Sequence, residues 1–275
     1  MAIPAAEWGL ASAGPQRLND PMPGHDLRTP RLYLEAAVAA GATLPLDREQ
    51  TNYLVNVLRR KNGDPVLLFN GRDGEWRARV ETVSRKGATL TLIEQTRPQT
   101  VPGDLDYLFA PLKQARLDYL VQKAVELGVS RLVPVLTQHG QVARVNLDRI
   151  RANAIEAAEQ CGILNLPAVA PPIALERLVA EWVPERLLVF CDEEAPVHDP
   201  VGVLEGARDT TPPTLGPTPV SVLIGPEGGF SEDERAALLK LPNLVRLSLG
   251  PRILRADTAA AAVLALVQAT LGDWR

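Results

Sequence analysis

Two glycine-proline loops contain the residues of this sequence that are best placed to do chemistry. Residues 220–231 (VSVLIGPEGGFS) and 244–258 (LVRLSLGPRILRADT) each begin with a short apolar run that leads into Gly-Pro. The glycines allow a ligand to approach the backbone closely, and the prolines stiffen the loops. Because main-chain groups of two such loops could line one pocket, we expect a site for a small polar cofactor. Gly-Pro after a strand is also a common turn, and the residues alone leave that interpretation open.

Neither loop has a common nucleotide-binding motif. Both lack the G-x-x-x-x-G-K-[ST] pattern of phosphate loops and the G-x-G-x-x-G pattern of dinucleotide sites. An ATP or NAD site is therefore disfavoured. The two cysteines, Cys161 and Cys191, form no C-x-x-C pair, and their spacing does not suggest zinc ligands. We expect no metal site and a reducing, cytoplasmic location.

Strands and helices must position these loops, and the sequence from residue 104 onwards predicts both in alternation. The predicted strands are residues 105–110, 131–135, 187–191, 220–225 and 244–249. The predicted helices are residues 113–127, 147–162, 175–181, 232–239 and 257–271. Such alternation is typical of a parallel α/β sheet.

Three local signals accompany this α/β pattern. Ser231 and Glu234 have the S-x-x-E spacing of a capping box, so a helix should begin there. Asp257 or Thr258 could cap the alanine-rich final helix. Residues 209–219 (DTTPPTLGPTP) should form a surface loop, because their composition sustains neither helix nor strand.

Residues 31–97 have a different pattern, with short strands separated by Asn-Gly, Asp-Gly and Lys-Gly pairs. Alternation in residues 75–83 divides the side chains between two faces. Trp76, Ala78 and Val80 lie on one face, and Glu75, Arg77, Arg79 and Glu81 lie on the other. These features predict a small β-barrel.

One helix is predicted inside this barrel, at residues 47–60. Its apolar side would contain Leu54, Val57 and Leu58, and it would end at the cations Arg59, Arg60 and Lys61. Cations at that end could complement the helix dipole or hold a phosphate group. Both interpretations stay open.

Net charge is distributed unevenly along the 275 residues. The total is −4, but residues 24–98 carry 12 Lys and Arg against 9 Asp and Glu (+3), and residues 99–275 carry 16 against 22 (−6). The cationic part is the better candidate for contact with a polyanion, although +3 is also ordinary surface variation. No apolar run reaches about 18 residues, so we expect no membrane contact. Residues 1–25 lack the pattern of a secretory signal and are expected to be a disordered extension.

Several stretches resemble the motifs of one enzyme family. LIGPEGGFSEDE and LGPRILRADTA resemble the two cofactor loops of the bacterial 16S ribosomal RNA uridine N3-methyltransferase (RsmE) family, in the SPOUT superfamily. QKAVELGV (122–129), EAAEQCG (156–162) and VLR (57–59) followed by LFNG (68–71) agree with the same family. The resemblance runs from about residue 31 to the C-terminus.

This resemblance implies a cofactor, partners and a fold. The cofactor would be S-adenosyl-L-methionine, and the partner would be 16S rRNA or the small ribosomal subunit, with no membrane and no metal. A PUA-like RNA-binding β-barrel at residues 26–97 would precede a SPOUT-type α/β domain at residues 104–275, which would contain a C-terminal trefoil knot. General rules of chain topology would not predict a knot. The family also implies a homodimer, with helices of both subunits closing the site.

The resemblance assigns the cofactor to both loops. The implied cofactor-binding residues are Leu223, Ile224, Gly225, Pro226, Glu227, Gly228, Gly229, Leu249, Gly250, Ile253, Leu254, Arg255 and Ala256. Leu223, Ile224, Ile253 and Leu254 would supply apolar walls, a placement that ordinary core packing would share.

The target nitrogen implied by the family, N3 of uracil, is an imide N–H and a poor nucleophile. Catalysis needs either a cation that stabilises the developing anion or a base that removes the proton. Arg252 or Arg255 is the expected cation. Glu227 is either the base or an acceptor of backbone N–H groups within its own loop.

Five cations are the expected RNA contacts: Arg31, Arg59, Arg60, Lys113 and Arg116. Lys113 and Arg116 open a predicted helix, where cations oppose the helix dipole, and this cost favours a role in phosphate binding.

The chain departs from the family at several positions. Ala256 and Asp257 stand where Thr-Glu is usual, and the shorter Asp257 keeps its charge, so we expect helix capping to survive and any direct contact to the cofactor to shift. Gln138–His139 stand where Glu-Arg is usual, so no catalytic role is assigned to them, and His139 is expected to be a surface or interface residue. Tyr53 and Asn70 replace His and Asp in the barrel. A ribose 2′-O or transfer-RNA methyltransferase and a catalytically silent RNA-binding assembly factor remain the alternatives.

Overall fold

Two β-sheets organise the part of the chain that the structure describes. The computed structural model describes residues 26, 28–84, 87–141, 144–196, 199–210 and 218–274. The extension predicted at residues 1–25 and residues 211–217 of the predicted loop lie outside this part. None of the helices within it is both long enough and apolar enough to cross a bilayer.

The first sheet is mixed and has five strands. They are β1 (Arg31–Tyr33), β2 (Thr43–Pro45), β3 (Pro65–Phe69), β4 (Glu75–Ser84) and β5 (Gly87–Arg97), in the order β1-β3-β4-β5-β2. Strand β1 pairs with β3 in parallel, and the other pairs are antiparallel. Ala78 and Val80 are fully buried while Arg77 and Glu81 are exposed, as the alternation predicts, but Glu75 is buried as well.

The helical segment between β2 and β3 is shorter than predicted. Helix α1 (Arg48–Asn52) begins with a capping box of Asp47 and Gln50 and continues into a π-helix (Tyr53–Val57). The wide π turn rotates the following residues away from the face that a 3.6-residue period predicts. Val57 is consequently 61% exposed while Leu54 is buried. The prediction of one regular helix over residues 47–60 was therefore wrong.

The second sheet is parallel. Its strands are β6 (Leu105–Phe109), β7 (Arg131–Leu136), β8 (Ala168–Val169), β9 (Ile173–Ala174), β10 (Leu187–Cys191), β11 (Val220–Ile224) and β12 (Leu244–Leu247). Their order is β12-β10-β11-β6-β7-β8, and β9 also pairs with β7. The five predicted strands are confirmed to within two residues. Strands β8 and β9 were not predicted, because two residues each are too few for a periodic signal.

Helices cover the second sheet. They are α2 (Gln114–Glu126), α3 (Leu147–Cys161), α4 (Leu175–Ala180), α5 (Pro200–Thr210), α6 (Glu232–Leu238) and α7 (Ala256–Thr270). The capping box of Ser231 and Glu234 is confirmed at the start of α6. Neither Asp257 nor Thr258 caps α7, because its N-cap is Arg255, whose side chain makes no capping bond. Helix α5 was not predicted, and it includes Asp209 and Thr210 of the predicted loop.

A buried charge cluster ties the first sheet to α3. Glu75 accepts hydrogen bonds from Arg31 Nε at 2.8 Å and from Arg97 Nη2 at 2.7 Å, and Arg97 also donates to the carbonyl oxygen of Gly162 at 2.9 Å. Burial would raise the pKa of Glu75, but these arginines hold it below its ordinary value. Arg31 is only 5% exposed and donates to Glu75, so the structure gives it a role in this cluster. Its RNA contact stays a prediction.

A second carboxylate at this junction gives a pH-dependent prediction. Glu159 of α3 accepts a hydrogen bond from the backbone N–H of Tyr33 at 2.9 Å, and burial together with the nearby Glu156 raises the pKa of Glu159 to about 7. Between its ordinary value and 7, the folded protein binds more protons than the unfolded chain, so stability falls as pH rises through this window. We expect the free energy of unfolding of Glu159→Gln to be about 2 kcal/mol higher than that of the wild type at pH 8. This difference should vanish near pH 4.5.

Urea titrations of both proteins at several pH values measure this difference. Glu176→Gln, on the exposed side of α4, is the matched control and should give no pH-dependent difference. A difference for Glu159→Gln that is the same at every pH would contradict the assignment.

Candidate functional site

A cavity of about 650 Å³ lies at the carboxyl ends of β10, β11 and β12. Strand β10 pairs in parallel with both β11 and β12, so the three strands end at the same edge of the sheet. The two predicted loops follow β11 and β12, and the segment after β10 forms a third wall. This volume falls within the range of about 300–1,000 Å³ that holds small ligands.

The predicted loops do converge on one cavity. Of the implied cofactor residues, these line it: Ile224, Gly225, Pro226, Glu227, Gly228, Gly229, Leu249, Gly250, Ile253, Leu254, Arg255 and Ala256. Leu223 does not line it, because its side chain is fully buried in the core beside Phe190. Ile253 borders the cavity, but its side chain is 94% exposed and does not form the predicted apolar wall.

Glycines set the shape of the first loop. A Cβ atom on Gly225 would lie 2.4 Å from Cε2 of Phe230, so no larger residue fits without displacing that ring. Gly229 has φ +70° and donates its backbone N–H to the carbonyl oxygen of Pro226 at 2.9 Å, which closes a tight turn. The capping box of α6 follows directly and fixes where the loop ends.

The second loop presents unpaired main-chain groups. Among the described residues, nothing exchanges a backbone hydrogen bond with residues 248–254. These backbone groups are at least partly exposed except at the buried Ser248, so they are accessible to a ligand in the cavity. Arg252 and Arg255 lie on this loop, are exposed, and form no ion pair with any residue that the structure describes.

The segment after β10 is a part of the site that the sequence analysis missed. Asp192 lines the cavity and accepts hydrogen bonds from Arg246 Nη2 at 2.7 Å and Arg235 Nη2 at 3.1 Å. Burial would raise the pKa of Asp192, but these bonds keep it below its ordinary value. Burial also raises the pKa of Cys191 to about 12, so this thiol stays neutral. The signal was three consecutive carboxylates directly after a predicted strand.

Arg116 connects the two loops. Its guanidinium forms an ion pair with Glu227 of the first loop and lies 3.8 Å, Nε to Oδ2, from Asp257 in the first turn of α7. Glu227 is therefore held by Arg116, and no bond from its carboxylate to the backbone of its own loop is seen in the described part. Lys113, at the N-cap of the same helix, is exposed.

His139 supports the first loop from outside. Its Nδ1 atom lies 3.2 Å from the carbonyl oxygen of Gly228 and 3.3 Å from that of Gly229. Since a carbonyl only accepts, Nδ1 must carry a proton for either hydrogen bond to form. The backbone N–H of Gln138 also donates to Glu234 at 2.8 Å. This segment is therefore a positioning element, whereas His139 was expected to be a surface or interface residue.

The remaining predicted RNA contacts lie away from the cavity. Arg59 and Arg60 follow the π-helix of the first sheet, where Arg59 is exposed with φ +54° and Arg60 is half-buried. Neither forms an ion pair with a carboxylate in the described residues.

Comparisons with known proteins place this architecture in a family. A model described as an RNA methyltransferase domain matches residues 99–268, and a model described as an RNA methyltransferase PUA domain matches residues 46–93. The ribosomal RNA small subunit methyltransferase E of Rickettsia conorii is 28% identical over 239 residues, which are 86% of this chain and 94% of that protein. The protein of the same name from Synechocystis is 29% identical and covers 88% and 78%.

Solved structures agree with the sequence matches. The ribosomal RNA small subunit methyltransferase E of Neisseria gonorrhoeae, bound to S-adenosylmethionine, has a TM-score of 0.77 and 26% identity, covering 90% of this chain and 100% of that chain. A candidate methyltransferase of Legionella pneumophila, in complex with the same cofactor, has a TM-score of 0.74 and 30% identity, covering 88% and 98%. The chain therefore belongs to the RNA methyltransferase family that includes the ribosomal RNA small subunit methyltransferases E.

Proposed function

We propose that this chain transfers a methyl group from S-adenosyl-L-methionine to N3 of a uridine in 16S ribosomal RNA. The observation that carries the proposal is the cavity between two glycine-proline loops. Relatives of this chain are named ribosomal RNA small subunit methyltransferases, and a solved structure of one such protein contains this cofactor. The proposed partner is the RNA, free or within the small subunit.

The cavity suits the proposed cofactor. The cavity has a suitable volume, the apolar residues Ile224 and Leu254, and backbone groups of residues 248–254 that have no described partner. These features match a ligand that has an adenine ring and many polar atoms. S-adenosyl-L-methionine supplies a methyl group on a positively charged sulfur. The loops bind and orient it against the acceptor, and fixed backbone groups do so at little reorganisation cost.

Arg252 and Arg255 are the residues that we propose for stabilising the uracil anion. Both are exposed at the cavity without a described ion-pair partner, so their charges are available to a substrate. Glu227 is the candidate base, and its ion pair with Arg116 would fix the position of its carboxylate at the cavity. The other loop residues that line the cavity keep their proposed cofactor-binding roles.

The family also supports proposals about architecture. We propose the PUA-like barrel at residues 26–97, the methyltransferase domain at residues 104–275, a trefoil knot formed by the C-terminal loops, and a homodimer. The exposed Ile253 at the cavity mouth is consistent with closure by a second subunit. A cytoplasmic location follows from the proposed ribosomal substrate.

Methyl transfer from labelled cofactor to under-methylated small subunits tests the proposed function. We expect incorporation into 3-methyluridine after digestion to nucleosides. Label on ribose or transfer RNA would favour another methyltransferase activity, and no label at all would favour a silent RNA-binding factor.

Arg59 and Arg60 give a prediction for RNA binding. Replacing both by alanine should weaken RNA binding and reduce the slope of log K against log salt concentration by about 1–2, because each phosphate contact releases about one counterion. Filter binding at several salt concentrations measures the slope. Arg177→Ala with Lys240→Ala, two exposed cations elsewhere, is the control. An unchanged slope would indicate that the RNA contacts Lys113 and other cations instead.

A further inference from the structure

One carboxylate that lines the cavity has no side-chain partner among the described residues. Four carboxylates line the cavity, and three are held by arginines: Asp192 by Arg235 and Arg246, Glu194 by Arg235, and Glu227 by Arg116. The fourth, Glu193, forms neither a hydrogen bond nor an ion pair through its side chain with any residue that the structure describes. A carboxylate that lines a ligand cavity and has no described partner is available to a ligand.

The position of Glu193 is defined by two elements. It follows β10 by two residues, and its Oε1 atom lies 3.8 Å from the point that a Cβ on Gly229 would occupy. Its carboxylate therefore reaches the first loop. Arg252 and Arg255, which have no ion-pair partner in the described ranges, belong to the second loop. The negative and positive charges that the described side chains leave uncompensated therefore come from different walls of the cavity.

We propose that Glu193 faces the positively charged amino-acid portion of the bound cofactor. This inference rests on the proposed function and adds a binding residue to it. The methionine portion of S-adenosyl-L-methionine carries a sulfonium, an ammonium and a carboxylate group, so its net charge is positive. The carboxylate of Glu193, which is exposed at the cavity, attracts the sulfonium and the ammonium group. The neighbouring Asp192 and Glu194 cannot substitute, because their charges are already compensated by Arg235 and Arg246.

Calorimetric titration of the full chain with two probes tests this role. S-adenosyl-L-methionine carries both positive charges, whereas 5′-methylthioadenosine keeps the adenine, ribose and sulfur but lacks both. We expect Glu193→Gln to raise the Kd of S-adenosyl-L-methionine about tenfold and that of methylthioadenosine less than about twofold. Glu193→Asp, which keeps the charge, should lose less affinity than Glu193→Gln.

The control is Glu185→Gln, an exposed carboxylate just before the other end of β10, which should bind both probes as the wild type does. Equal weakening of both probes by Glu193→Gln, or no weakening of either, would overturn the inference. If the wild type itself bound no S-adenosyl-L-methionine, the proposed function would fail instead, so the two failures are distinguishable.

Discussion

Arg255→Ala is expected to lower the rate of methyl transfer at saturating cofactor by about 10²–10³-fold. The variant removes a cation that we place beside the developing uracil anion, and loss of one such preorganised group typically costs this much. The fold should be unaffected, because the side chain is exposed and forms no ion pair with a described residue. Single-turnover rates with small subunits measure the effect, since they separate chemistry from product release.

Two comparisons make this result interpretable. Lys240→Ala removes an exposed cation outside the cavity and should retain the wild-type rate. Arg252→Ala tests the other arginine of the loop, which the geometry leaves as an equal candidate for direct contact. A wild-type rate for Arg255→Ala would refute its catalytic role.

Glu75→Ala is expected to destabilise the protein by about 3–5 kcal/mol. The change leaves Arg31 and Arg97 near the interior without their shared counterion, and an uncompensated buried charge costs this much. Arg97 also holds the carbonyl oxygen of Gly162, so the contact between the first sheet and α3 should loosen. The midpoint of urea unfolding, followed by tryptophan fluorescence, measures the loss.

An exposed ion pair of the same sheet supplies the control. Glu94 lies 2.6 Å from Arg77, and both side chains are about half exposed. Its replacement by alanine should cost at most about 1 kcal/mol, because solvent screens exposed pairs. Equal losses for the two variants would show that Glu75 is not a buried counterion.

The strands of the second sheet were predictable because both faces of a parallel sheet are covered. Such strands appear in the sequence as nearly continuous apolar runs. LDYLF and VSVLI are examples, each interrupted by one buried polar residue, Asp106 or Ser221. The convergence of the two loops followed from the same reasoning, since parallel strands end at one edge. The capping box of Ser231 and Glu234 then located the start of α6.

Other features depend on tertiary contacts that no local pattern encodes. The alternation in β4 predicts an exposed Glu75, but Arg31 and Arg97 are 44 and 22 residues away in the sequence and bury it. The π turn after Asn52 changes the helical period and turns Val57 to solvent. Arg116 was predicted to bind phosphate, yet its closest described partners are Glu227 and Asp257, which approach it only through the fold.

The site itself was predicted in part. Residue types and the family resemblance identified the two glycine-proline loops, which form two walls of the cavity. The third wall, the segment after β10, was not predicted because its acidic residues were used only in counting the net charge. The pairing of Asp192 with two arginines shows that these residues shape the cavity.

A crystal structure of the full chain with S-adenosyl-L-methionine tests the central claim most directly. The account predicts density for the whole cofactor between residues 225–229 and residues 249–256, in contact with their main-chain groups. Density at another place on the molecule, or none at a saturating concentration, would contradict it.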